Sequence, residues 1–208
     1  MWNRTENKIE FVMIRHGATE SNQTHRYLGR TDECLSQEGK MKLQEKKNGY
    51  PAVDHLFSSP MKRCLETADI LYPDLKPVVI PEWVEIDFGA FEGKNYLELE
   101  KSEAYQRWIA SNGTLPFPEG ESREIFIARC REGFVHMLRQ LKEIHSGGSS
   151  ITIGLILHGG TIMALLNSFY GGEYFDYQAA NGQGYLCTLK ENPETLQLVD
   201  IRKLETDI

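Results

Sequence analysis

Apolar residues recur along the chain in two patterns. Two short stretches are almost continuously apolar: Ile9, Phe11, Val12, Met13 and Ile14 near the start, and the run ITIGLIL over residues 151–157. Runs this short and this apolar suit strands covered on both faces of a parallel sheet. Weaker strand signals lie at 53–57 (VDHLF) and 77–80 (PVVI), the latter edge-like because of Pro77 and Pro81. Segments 184–190 and 196–201 alternate well enough for a final antiparallel pair, turned through Asn192-Pro193.

Between these runs the spacing is helical. Ser36 reads as an N-cap for a lysine-rich, solvent-facing helix over 37–49. Pro60 suits the first turn of a helix to about Tyr72, with Arg63 near its start and Leu65, Ala68 and Leu71 on one face. One or two helices are expected over 95–112, with Tyr105 and Trp108 on a common face. A long amphipathic helix from Glu121 is traced by Ile125, Phe126, Arg129, Gly133, Val135, Leu138, Leu141 and Ile144, and stops at Gly147-Gly148. An apolar helix follows over 161–170. Residues 18–32 are too polar for core and read as a long active-site loop. The pattern predicts an α/β fold with a mostly parallel central sheet. No linker divides the chain, so one domain spans 1–208, with a cap-like excursion over about 82–121.

Composition narrows the class. The formal charge of −7, with no basic stripe, argues against a nucleic-acid partner. It also means that any phosphate site must be built locally, by arginines. Cys34, Cys64, Cys130 and Cys187 are scattered and read as free buried thiols in a reducing compartment. The segment MWNRTENKIE lacks an apolar leader core, and no run approaches the ~20 residues that span a bilayer. A cytoplasmic protein with no membrane partner is expected.

The candidate chemistry sits at the ends of the two apolar runs. The first stops at Arg15-His16-Gly17 and the second at His158-Gly159-Gly160. Open α/β sheets place ligands at the carboxyl ends of their strands. A histidine after a strand is ordinarily packed or solvated, but two presented alike from two strands are hard to explain as packing. Arg63 alone reads as a solvated arginine, and Glu85 among Trp83, Val84, Ile86 and Phe88 as a paired carboxylate. Asp87 reads as structural. The patterns HxH, HExxH and DxD are absent, as is GxSxG, so neither metal hydrolysis nor a serine hydrolase is indicated. What remains is phosphoryl transfer to an imidazole. His16 would attack phosphorus, Arg15, Arg63 and His158 would hold the oxygens, and Glu85 would protonate the leaving group. The expected partner is a small phosphate monoester, with no metal or cofactor.

These residues resemble the histidine phosphatase superfamily, also called phosphoglycerate mutase-like. RHGATESN at 15–22 resembles its signature loop, and GRTDECLSQEG at 29–39 its G-x-x-D-x-x-L-x-x-x-G pattern. SSPMKRCLETA at 58–68 looks like the second-arginine block, EIDFGAFEG at 85–93 the acid block and LHGG at 157–160 the second-histidine block. The resemblance implies a three-layer α/β/α sandwich, with His16 as phosphate acceptor, Arg15, Arg63 and His158 in the phosphate pocket, and Glu85 as proton donor. It adds Asn22 as a substrate contact and the Gly159 main chain as a phosphate donor. Ala18, Cys64 and Met163 depart from common family residues and leave the substrate contacts open. FGAFEGKNYLEL, YQRWI and PEGES at 118–122 resemble α-ribazole phosphatases and related phosphatases. A bisphosphoglycerate-dependent mutase and a non-catalytic phosphate-binding member are the alternatives. The oligomeric state, a homodimer included, is left open.

Overall fold

The computed structural model describes residues 8–145, 150–191 and 195–205. The expected stop at Gly147-Gly148 and turn at Asn192-Pro193 lie outside the described residues. Strands β1 (Ile9–Arg15), β2 (His55–Ser58), β3 (Val78–Val79), β4 (Ile151–Leu157), β5 (Gly184–Glu191) and β6 (Leu196–Lys203) form one sheet in the order β3-β2-β4-β1-β5-β6. The first four run parallel, β5 runs antiparallel to β1, and β6 antiparallel to β5. The two most apolar runs, β1 and β4, are the central pair, and β3 is a two-residue edge.

Helices α1 (Glu20–Gln23), α2 (Gln37–Lys46), α3 (Lys62–Leu71), α4 (Tyr96–Leu99), α5 (Glu103–Ala110), α6 (Arg123–Ile144) and α7 (Gly159–Phe169) complete the chain. Alternation along β1 sorts the core into two layers. Phe11 and Met13 pack with Phe126, Phe134, Met137 and Leu141 of α6 and Ile162, Leu165 and Leu166 of α7. Val12 and Ile14 face the other way, onto Leu43 of α2 and Cys64, Ala68 and Leu71 of α3. The result is the expected three-layer α/β/α sandwich. Among the described residues no helix is long and apolar enough to cross a membrane.

Several expectations need correction. Pro60 precedes α3 rather than occupying its first turn: Met61 is the cap and Lys62 the first helical residue. The buried face of α3 is Arg63, Cys64, Thr67, Ala68 and Leu71, and Leu65 is only half-buried. Helix α6 starts after Ser122, whose hydroxyl accepts from the Ile125 amide; its Ile125 and Ile144 point to solvent while Cys130 and Met137 are buried. The polar 18–32 stretch contains α1, and Thr19 is wholly buried as its cap. Cys34 is exposed, on the connection before α2, whereas the other three free thiols are buried. In the 82–121 segment Phe91, Tyr105, Trp108 and Phe117 surround Tyr27 with ring centroids 6.0 to 6.5 Å away, a packed cluster in which Tyr96 takes no part.

Candidate active site

Register brings the two histidines together. In the parallel β1–β4 pair Arg15 lies opposite Leu157, and the His16 amide donates to the Leu157 carbonyl at 2.9 Å. The next side chains along both strands, His16 and His158, therefore emerge side by side, with ring centroids 5.2 Å apart at 67°. Both are buried.

Hydrogen bonds define the proton on each ring. His16 Nδ1 lies 2.7 Å from the Gly17 carbonyl, which only accepts, so Nδ1 carries the hydrogen and Nε2 keeps the lone pair. For His158 the assignment reverses. Arg63 Nε, which only donates, reaches Nδ1 at 3.3 Å, and Nε2 lies 2.7 Å from the Ser59 hydroxyl. Burial, then the charges of Arg63 and Arg15, hold the His16 pKa well below 6.5. Burial and Arg63 do the same to His158, with smaller contributions from His16 and Arg15. Both rings are neutral at pH 7.

Arg63 is completely buried on α3, against the solvated reading its sequence position suggests. Its Nη1 and Nη2 each donate at 2.8 Å, to the carbonyls of Thr31 and Gly29. These partners are dipoles, not a carboxylate, and leave the guanidinium charge uncompensated by contact. From the other side Glu92 Oε1 accepts the amides of Gly29 (2.8 Å) and Thr31 (2.9 Å). The 29–31 loop is thus gripped between an acid and the arginine. Arg15 donates through Nη1 to the Ala179 carbonyl at 2.8 Å, while its buried Nε meets no acceptor. A buried donor without an acceptor is costly unless an incoming group supplies one.

Glu85 is buried beside this cluster. Its Oε1 accepts from the Ile86 amide at 2.9 Å and its Oε2 from the Gly160 amide, in the first turn of α7, at 3.1 Å. Burial raises its pKa above 4.5, against the lowering effect of those amides and of Arg63 and Arg15. Gly160 has to be small here, since a Cβ would press on the Glu85 carboxylate. Asp87 accepts the Gly89 amide at 2.9 Å and shapes a turn.

A cleft of about 250 Å³ opens over Arg15, Glu85, Gly159 and Gly160 and is walled by Tyr27, Phe88 and Met163. A second hollow of about 420 Å³ shares Arg15, Asn22, Arg26 and Tyr27 with it. Of the expected site residues, Arg15, Asn22, Glu85 and Gly159 line this cleft, whereas His16, His158 and Arg63 are not in its lining and form a buried cluster of their own, joined by the ring contact and the Arg63 Nε bond. Asn181 was missed by sequence reasoning. It donates to the His16 carbonyl at 3.1 Å and to Asn22 Oδ1 at 3.0 Å, from a loop without any pattern of its own. Ser59 was legible only as part of the SSPMKRCLETA block, and Arg26 and Tyr27 only as loop. Among the described residues no three His, Cys, Asp or Glu side chains converge to hold a metal ion.

A sequence model of the histidine phosphatase superfamily (branch 1) matches residues 11–201. A bifunctional protein of Mycobacterium tuberculosis is 33% identical over 132 residues, covering 59% of this chain and 35% of that protein. The chain thus matches only about a third of the length of such a relative. Phosphoserine phosphatase 1 of Hydrogenobacter thermophilus is 30% identical over 138 residues, 64% of this chain and 65% of that protein. The crystal structure of the alpha-ribazole phosphatase from Shigella flexneri superposes with a TM-score of 0.72 at 21% identity, covering 92% of this chain and 94% of that one. At that identity the likeness speaks for the fold alone.

Proposed function

Because this chain belongs to the histidine phosphatase superfamily (branch 1), we propose that it is a metal-independent phosphomonoesterase working through a phosphohistidine on His16. The observation that carries the reading is the pairing of a buried, neutral His16, its Nε2 lone pair left free by the bond from Nδ1 to Gly17, with two arginines that no carboxylate among the described residues neutralises by contact.

The steps follow from the groups present. A phosphate ester brings its anionic oxygens to Arg15, Arg63 and His158, with the Gly159 amide at the start of α7 as a further donor. His16 Nε2 attacks phosphorus, a P–N bond forms and the P–O bond to the leaving group breaks. The leaving oxygen takes a proton from Glu85, whose pKa burial raises above the ordinary carboxylate range. Ionised Glu85 then accepts a proton from water as that water attacks the phosphohistidine, which restores His16 and releases phosphate. Asn22, held by Asn181, borders the cleft as a substrate contact. With Arg63 Nε donating to Nδ1, His158 carries its hydrogen on Nε2 and donates it to the Ser59 hydroxyl.

Phosphoryl transfer from a phosphate ester is common to the phosphatases and mutases of the family. Water as the acceptor, and α-ribazole 5′-phosphate as a substrate, are the finer parts of the proposal. The second is supported by the likeness of motifs and by a cleft walled with Tyr27 and Phe88 that suits a ring. The test is phosphate release, in chelator, from α-ribazole phosphate, sugar phosphates, 3-phosphoglycerate and p-nitrophenyl phosphate. His16→Ala should lower turnover by about 10³-fold or more. Full activity in that variant would overturn the mechanism, and conversion of 3-phosphoglycerate without phosphate release would make the protein a mutase. Glu85→Gln should cost roughly 10²-fold on alkyl phosphates and far less on p-nitrophenyl phosphate, whose leaving group needs little protonation.

A further inference from the structure

The segment that carries Glu85 has no secondary structure of its own: residues 85–88 belong to neither helix nor strand. Something else must fix its backbone, because a carboxyl displaced by an ångström is out of reach of a leaving oxygen. Arg129, on the second turn of α6, does this from the outside. Its Nη1 donates to the carbonyls of Glu82 at 2.6 Å and Val84 at 2.8 Å. Its Nε and Nη2 form a fork on Glu121, at 3.1 and 2.8 Å. Glu121 Oε2 in turn accepts the Asp87 amide at 3.3 Å, and the Glu121 amide donates to the Asp87 carbonyl at 3.0 Å. One ion pair therefore grips the chain on both sides of Glu85, before it through two carbonyls and after it through residue 87.

The pair is built to be rigid. Its side chains are 20% and 9% exposed, and Arg129 also lies over the Phe126 ring at 5.1 Å. A bidentate arginine fork, little exposed, keeps a single geometry better than a surface pair does. The Pro118–Ser122 stretch that bears Glu121 wraps the same turn: the Pro118 carbonyl accepts the Ala90 amide at 2.8 Å, and a Cβ on Gly120 would strike the Asp87 carbonyl.

We propose that Arg129 and Glu121 are positioning residues for Glu85, holding the 82–87 backbone so that the carboxyl stays at the Gly160 amide and faces the leaving oxygen. The inference rests on the reading of Glu85 as proton donor, and the experiment separates the two. Wild type, Glu85→Gln, Arg129→Lys and Glu121→Gln are compared on an alkyl phosphate and on p-nitrophenyl phosphate, with thermal unfolding measured for each. Lysine keeps the charge but has no fork to join two carbonyls to a carboxylate. Both clamp variants should lose about tenfold more kcat/KM on the alkyl than on the aryl ester, the pattern of Glu85→Gln in smaller measure. Equal losses on both esters, or none, would reduce the pair to packing and overturn the proposal, with the Glu85 reading intact. No difference between esters in Glu85→Gln itself would remove the acid role and the proposal with it. Should Arg129→Lys fail to fold, Glu121→Gln, which keeps an oxygen for the fork, decides alone.

Discussion

Keeping two histidines neutral and buried beside two arginines shapes the response of the protein to acid. His16 and His158 have pKa values well below 6.5 in the fold, whereas in the unfolded chain they take up protons near that value. A group with a depressed folded pKa contributes stability above its unfolded pKa and loses it as pH falls below. Each should therefore cost about 1.4 kcal/mol of stability per pH unit below 6.5. Glu85 acts in the opposite sense: its raised pKa favours the fold below 4.5, and this contribution is lost as pH rises through the folded value. In the Glu85→Gln background, which removes the opposing contribution, denaturant unfolding between pH 7.5 and 5.5 should show the falling stability, and adding His158→Gln should remove about half of the slope. A flat profile would mean that the rings are charged or exposed. Sequence could nominate both histidines from their strand ends, but not their protonation, which depends on Gly17, Ser59 and Arg63 meeting them in space.

At the scale of elements, the 29–31 loop is the part whose order decides how Arg63 is held. Glu92 takes its amides and Arg63 its carbonyls, so removing Glu92 loosens the arginine without touching it. Glu92→Ala should raise the inhibition constant of orthophosphate about tenfold, while Glu92→Gln, which keeps an oxygen facing both amides, should stay close to wild type. Equal behaviour of the two variants would contradict the arrangement. Local signals were the legible ones here. Ser36 caps α2 as expected, because capping depends only on neighbours three residues on, whereas the start expected at Glu121 misses the Ser122 cap of α6. The exposure of Ile125 and Ile144 was not legible, since which stripe of α6 is buried depends on the sheet and on α7 beneath it.

Across the whole molecule, Phe91, Leu99, Tyr105 and Phe117 of the 82–121 segment share one hydrophobic cluster with Phe11, Met13 and Leu155 of the central strands. The segment is therefore expected to unfold together with the sheet, in one calorimetric transition whose van't Hoff and calorimetric enthalpies agree; two transitions would make it a separate unit. Orthophosphate at about 100 times its dissociation constant should stabilise the protein by about 2.7 kcal/mol, an effect that Arg63→Met should abolish. The sequence by itself determined the strands, most of the helices, the strand-end histidines and the family, because apolar periodicity, caps and contiguous motifs are written in neighbouring residues. Only the tertiary structure decided that Arg63 is buried on two main-chain carbonyls, that Ser59 bonds His158 and Asn181 bonds Asn22, and that Arg129 and Glu121 hold the main chain on either side of Glu85. Those contacts join residues far apart in the chain, and the sheet register and helix packing that bring them together leave no periodic trace in the sequence.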